Sequence, residues 1–238
     1  MSIFSLHSIC KIYALMAVFL IVAGVTSVQA QDLPKTTHDG LVLVENTEVK
    51  AVYMDPGATL EIYKRVAIAD VYVAFKKNWQ RDFNRKTTGL AQRVSAQDME
   101  KIQQEVADEF MKVLIKELDR MGHDVVDVTG DDVLIIKPSI INLVVSAPET
   151  RGGGRNRTLV ADAGEMTLYM EFYDSMTNDR IGIAIDPRVA RNPGGAINFS
   201  RASRVSNRAA ADILFKEWAR LLISHLGAIE PSTKEEKK

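Results

Sequence analysis

Few residues in this chain invite chemistry, and the densest group runs from Arg151 to Arg157, reading Arg-Gly-Gly-Gly-Arg-Asn-Arg. Glycines let a backbone wrap an anion and arginines neutralise it, so a phosphate cradle is the first chemistry to weigh. A P-loop needs G-x-x-x-x-G-K-[ST] running into a helix, so that amides and the helix N-terminus converge on phosphate. Here Arg157-Thr158 stands where Lys-[ST] would, the glycine spacing differs, and the following residues alternate like a strand. A dinucleotide fingerprint fails on the same context. The stretch is expected to be a flexible cationic loop between two strands, with Arg151, Arg155 and Arg157 free for electrostatic contact.

Other chemistry is thinner. His38, His123 and His225 are isolated, with no H-x-x-H or H-E-x-x-H spacing, so no metal site is expected. His123 follows a helix-stop glycine and reads as a surface cap, while His225 sits in a last helical turn where the macrodipole favours a cation. The single cysteine, Cys10, precedes an apolar run. There is no G-x-S-x-G and no S-x-x-K set. Glu165, Glu171, Asp174 and Asp186 fall on neighbouring predicted strands and are the one carboxylate set from which a glycan or peptide hydrolase could be built. No cofactor is expected, and the enzyme reading is the alternative rather than the first choice.

The elements that must position these residues follow from periodicity. Leu41–Glu45 and Ala51–Met54 are β-prone, and Asp55-Pro-Gly-Ala58 is a turn. Tyr63–Phe75 alternates as one largely buried strand. Ser95-Ala-Gln-Asp98 has the form of a helix start, after which Met99, Ile102, Val106, Phe110, Val113, Leu114, Leu118 and Met121 recur at helical steps until Gly122. Residues 123–128 and 133–147 read as a strand pair turned at 129–132, with Pro138 marking a bulge or an edge. Residues 158–175 form a strand and 180–186 return as its hairpin partner. A second helix begins near Ser206 and turns Ala210, Ile213, Leu214, Trp218, Leu221, Leu222 and Leu226 inward, ending at Gly227. The predicted fold is α+β: a mainly antiparallel sheet with two amphipathic helices packed on one face, the other face partly solvated or docked.

The N-terminus carries Lys11, an apolar stretch from Ile12 to Val25, and the small-residue ending Val28-Gln29-Ala30. These are the marks of a cleaved secretory leader. The expected organisation is a leader over 1–30, a polar lead over 31–39, one domain over 40–227 and a disordered polar tail over 228–238. Cys10 would leave with the leader, so the exported chain has no disulfide and no thiol chemistry. Loss of Lys11 leaves 29 basic and 31 acidic residues, so bulk charge selects no partner. At 46% hydrophobic and 26% charged, the chain has the composition of an ordinary folded domain with no transmembrane span beyond the leader.

Charge is nevertheless segregated. Between Lys76 and Arg93 lie six cations, Lys76, Lys77, Arg81, Arg85, Lys86 and Arg93, with Trp79 and Phe83 interleaved and Asp82 the one acid. Arg188 to Arg208 holds five arginines and no acid, whereas Asp124 to Asp132 holds four aspartates and no base. Basic segments with aromatics can bind nucleic acid, but an exported protein rarely meets any. Anionic lipid, acidic glycan or an acidic envelope protein is the expected partner class. The competing reading is structural: a long loop whose arginines pair with those aspartates, with Trp79 and Phe83 covering the core. The candidate surface is Lys76, Lys77, Trp79, Arg81, Phe83 and Arg85, with Arg151, Arg155 and Arg157.

Six segments, "VYMDPGATLEIYKRVAI", "VAFKKNWQRDFNR", "RVSAQDMEKIQQEVADEF", "GDDVLIIKPSIINLVVSAPET", "AGEMTLYMEFYDSMTNDRIGIAIDPR" and "SNRAAADILFKEWARLL", together resemble the bacterial envelope family known as domain of unknown function 3313 (DUF3313). The resemblance spans roughly residues 40 to 226. It implies an envelope protein, often lipoprotein-like. This chain departs from that pattern, having no cysteine at the leader's end, so a soluble periplasmic or outer-membrane-associated form is implied. The family brings no catalytic residues to carry over.

Overall fold

The computed structural model describes residues 33–146, 148, 158–160, 162–191, 200–202 and 204–227. The expected leader over 1–30, the expected tail over 228–238 and the expected cationic loop with Arg151, Arg155 and Arg157 lie outside the described residues. From Pro34 onward the chain forms one unit.

The sheet is built around β5 (Val133–Val145), β7 (Asp162–Asp174) and β8 (Arg180–Arg191). Its order is β1 (Val42–Val44), β2 (Ala51–Met54), β8, β7, β5, β3 (Arg65–Ile68), with β4 (Tyr72–Phe75) also on β5. All pairings among β1, β2, β8, β7 and β5 are antiparallel, while β3 and β4 join β5 in parallel. The α+β class and the β7–β8 hairpin stand as expected. A second, two-stranded sheet pairs β6 (Thr158–Val160) with β9 (Ser200–Ala202). The expected single strand over 158–175 is thus divided.

The expected single strand over 63–75 is also broken, and Pro138 accounts for the break. Ala69 donates its N–H to the Ile136 carbonyl, 2.9 Å away, so even-numbered residues of β5 turn their backbone polar groups toward β3 and β4. Pro138 has no N–H to offer there. It falls between Ile136, paired to Ile68, and Ser139, paired to Tyr72, and the parallel partner detaches at that position. Residues 123–128 do not form a strand either: Val125 makes a single parallel bridge to Val66. Even so, Val66 donates to Asp124 O and accepts from Val126 N, while the Gln103 amide reaches the Val73 carbonyl at 2.6 Å. Both contacts occupy backbone groups on the outer strands that would otherwise invite another chain.

Among the described residues there are three α-helices rather than two: α1 (Trp79–Lys86), α2 (Ala96–Arg120) and α3 (Arg204–Ile223). α2 begins with a reciprocal capping box between Ser95 and Asp98. It stops at Gly122, whose φ of 87° is readily reached without a Cβ. α2 and α3 cover one sheet face, where Phe110, Leu114, Leu118, Phe215 and Trp218 pack on Ile136, Ile140, Leu168, Met170 and Phe172. Phe110 meets Phe215 edge-on, centroids 5.2 Å apart. The buried stripe of α3 is rotated from expectation. Phe215 is fully buried, whereas Ile213 is 46% exposed, because the face toward α2 and the sheet runs through Ala210, Leu214, Trp218 and Leu222. α3 ends at Ile223, and Gly227 instead docks the following turn by donating its N–H to Tyr63 O at 2.9 Å.

The opposite face carries Tyr169, Glu171 and Tyr173 of β7 beside Ser139, Lys137 and Ile135 of β5, and these are half-buried. Toward β2 and β8, Tyr53 and Ile183 are buried on this same face. The segment before β1 is tied to the hairpin by Arg180, which hydrogen-bonds both Asp39 and Glu171.

Candidate interaction surface

The basic segment is a helix on an aromatic footing, not a long loop. β4 ends at Phe75, and Asn78 takes a left-handed conformation (φ 65°) to turn the chain into α1. Phe75, Trp79 and Phe83 recur every four residues and stack in series, with centroids 4.4 and 5.6 Å apart. Trp79 is buried. Gln80 and Asn84 donate side-chain amides to Val94 O at 3.0 and 2.9 Å, and Val94 N–H donates back to Asn84 Oδ1 at 2.8 Å. One side of α1 is therefore bound to the stretch that leads into α2.

The cations occupy the remaining surface. Lys76, Lys77, Arg81, Arg85, Lys86 and Arg93 are all exposed. Arg81 and Arg85 share Asp82, at 3.0 and 3.8 Å, and Lys76 lies 3.5 Å from Glu165. Such exposed pairs contribute at most about 1 kcal/mol each. Among the described residues the ion pairs of these six cations reach two carboxylates, which leaves a positive surplus. Trp79 and Phe83, expected as part of the contact surface, belong instead to the footing: Trp79 is buried and Phe83 half-buried.

Among the described residues, the cations of α1 do not pair with Asp124, Asp127, Asp131 or Asp132 as the structural reading expected. Those residues precede Val133, whereas α1 follows β4 beside Leu143, so about ten residues of extended strand, roughly 30 Å, separate the two groups. Asp132 is held by Arg65, Nε to Oδ2 2.9 Å, a hydrogen bond that keeps its carboxyl below the usual range. Of the distal arginines, Arg188 binds Asp186 and Arg208 binds Glu109.

The strand carboxylates do not assemble a catalytic pair. Glu165 and Glu171 lie on the open face, Asp174 and Asp186 on the helix face, as their pairing with Val144, Lys137, Leu134 and Leu168 shows. Even the two on a shared face are six strand positions apart, roughly 20 Å, against about 5 to 9.5 Å for a glycosidase pair. Each also has a structural task. Asp186 is buried and accepts from Trp218 Nε1 at 2.8 Å, Arg188 Nε at 2.6 Å and Lys50 N at 3.1 Å. Asp174 accepts from the Thr177 and Met176 amides and from the Tyr63 hydroxyl; the Thr177 amide is the largest cause holding its carboxyl below the usual range, against burial.

The histidines remain apart. His123 is buried rather than a surface cap, its Nδ1–H donating to Lys64 O at 2.8 Å. His225 lies just past α3 with Nδ1–H on Leu221 O, and His38 is exposed beside Asp39. Among the described residues no three His, Cys, Asp or Glu side chains gather as a metal site. The sequence reading missed the Asp39–Arg180–Glu171 clamp and the Glu117–Arg120–Arg220 cluster. Glu117 is buried inside a helical repeat of otherwise apolar positions, and that break in the pattern was the available signal. Burial raises its pKa, but hydrogen bonds from Arg120 and Arg220 outweigh that and hold it low.

Residues 36–222 match the sequence family described as Protein of unknown function (DUF3313). The chain belongs to the DUF3313 family. No curated protein matches this DUF3313 member. Solved structures with a partial likeness include the PelC dodecamer from Paraburkholderia phytofirmans, at 11% identity over 74% of this chain and 98% of that one, TM-score 0.37. A putative neuraminyllactose-binding hemagglutinin homolog from Helicobacter pylori is 14% identical over 71% of this chain and 88% of that one, TM-score 0.34. Among the described residues of the DUF3313 chain, no helix is long and apolar enough to cross a membrane.

Proposed function

We propose that this DUF3313 protein is an exported cell-envelope protein that binds rather than reacts, presenting the cations Lys76, Lys77, Arg81 and Arg85 to an anionic partner in the periplasm or at the outer membrane. The observation that carries the reading is the footing of α1. A stacked aromatic row and three side-chain hydrogen bonds to Val94 fix the helix, while its cations stay exposed with few acids to neutralise them. Charge held in place but left unneutralised steers and fastens an oppositely charged surface. Arg151, Arg155 and Arg157 would add to the same field. Export is supported by the leader-like first thirty residues.

Placing a photocrosslinking amino acid at Arg93 tests this in living cells. The expected result is a defined adduct that disappears when Lys76, Lys77, Arg81 and Arg85 are all changed to Glu. An unchanged adduct pattern in that variant removes this surface from the account. Fractionation of the tagged chain is expected to place it outside the inner membrane; recovery in the cytoplasm would contradict export.

A further inference from the structure

We propose that the partner of the basic helix is a second copy of this chain: α1 of one copy docks on the acidic end of the next, head to tail. The inference rests on reading α1 as a contact surface and names what it contacts.

Three observations lead to it. Charge is segregated along β5: α1 follows β4 beside Leu143, about ten strand residues from Val133, so roughly 30 Å separates the 121–132 segment from α1. Ionic screening acts within about 8 Å, so the two charged ends cannot neutralise each other inside one copy. Complementary charge of matching size is therefore available between copies.

The two ends also match in character. At the acidic end Asp124, Asp127 and Asp131 are exposed and form no salt bridge among the described residues, although Asp124 and Asp131 feel the Arg65 charge. Lys64, exposed, is a cation near Asp132 at this end. Between these aspartates Val125 is 40% and Val128 52% exposed. At the other end Lys77, Arg81, Arg85 and Lys86 are exposed on and beside α1, and Leu90, a few residues past its end, is 78% exposed. Exposed apolar residues close in sequence to exposed charges, with the sign reversed from one end to the other, suit a docking pair.

Both ends are also pre-shaped. The acidic segment is fastened by His123 to Lys64 O, by the Val66 backbone, by the Arg65–Asp132 pair, and by Gly130, whose N–H and carbonyl both bond Ser175 Oγ. α1 is fastened to Val94. Ordering costs on association are correspondingly small. Because different surfaces meet on each copy, the contact is heterologous and builds a closed ring or an open row.

Sedimentation of the protein purified from the cells that make it tests the proposal. At low salt the protein is expected to run as a concentration-dependent species of two or more copies, dissociating near 0.5 M salt, where screening shortens to roughly 4 Å. Asp124→Lys/Asp127→Lys/Asp131→Lys and Lys77→Glu/Arg81→Glu/Arg85→Glu are each expected to sediment as single copies with unchanged melting. Mixing the two variants restores association, because both interfaces then pair opposite charges. Single-copy sedimentation of the wild-type protein at low salt, or failure of the mixture to associate, overturns self-assembly. If in that case α1 reversal still abolishes the cellular crosslink, or still abolishes binding to phosphatidylglycerol vesicles, the contact-surface reading survives with a different partner. If reversal changes neither, that reading falls as well.

Discussion

Beneath α3 and on α1 the chain handles charge in opposite ways. Asp186 is buried and receives three donors, one of them the indole of Trp218, and Glu117 is buried between two guanidinium groups. A carboxylate placed there without partners would cost several kcal/mol, so the fold supplies partners. On α1 the apolar rings face inward, and on and beside it six cations are exposed, with ion pairs to two carboxylates among the described residues. The buried charges are satisfied because the fold depends on them; the exposed ones are left in surplus because the fold does not. Perturbations at the first region should therefore register as lost stability, and perturbations at the second as lost contact.

The largest effect is expected from Trp218→Ala, which empties a fully packed site and removes the indole donor from Asp186. Denaturant unfolding should show a loss of about 3 to 5 kcal/mol. Asp186→Ala keeps the ring but leaves the buried indole N–H unpaired, at an expected cost of about 1 to 3 kcal/mol. A similar loss is expected for Gly164→Ala, since a Cβ there would lie 2.0 Å from Val144 O where β7 meets the bulge in β5. If either substitution is silent, the helix face is less tightly constructed than described.

Acid provides a graded version of the same comparison. Asp174, Asp132 and Glu117 have folded pKa values below their unfolded ones. Their stabilisation is fully present above about pH 5 and is lost as pH falls through the lowered folded values. Thermal melts should therefore be flat from about pH 5 upward with respect to these groups and fall below pH 4. Asp39, lowered to about 2 by the Thr37 hydroxyl and then Arg180, should be among the last to protonate. The smallest effect on stability belongs to α1. Reversing Lys77, Arg81 and Arg85 should change unfolding free energy by no more than about 0.5 kcal/mol each, with a larger loss showing that the cations support the fold.

What could be read from sequence was what local chemistry determines. The Ser95–Asp98 capping box, the Asp55–Ala58 turn and the β7–β8 hairpin need only neighbouring residues, and each is found where the sequence puts it. The order of six segments also identified the family. Parallel pairing of β3 and β4 with β5 depends on residues some seventy positions away, and a proline that looked like an edge marker instead sits where the neighbouring strand breaks. α1 was missed because a two-turn helix offers few apolar repeats: Trp79 and Phe83 form one i, i+4 pair amid polar residues. The Arg180 clamp joins Asp39 to a hairpin 141 positions later, beyond any local pattern. The basic surface was legible in composition, but its division into a buried aromatic footing and an exposed cationic face required the fold.

The most direct test of the central claim is the cellular adduct formed by a photocrosslinker at Arg93, compared between the wild-type background and one in which Lys76, Lys77, Arg81 and Arg85 are changed to Glu. The account predicts an adduct in the first and none in the second, with the two proteins melting at the same temperature. An adduct of equal yield in both would contradict it.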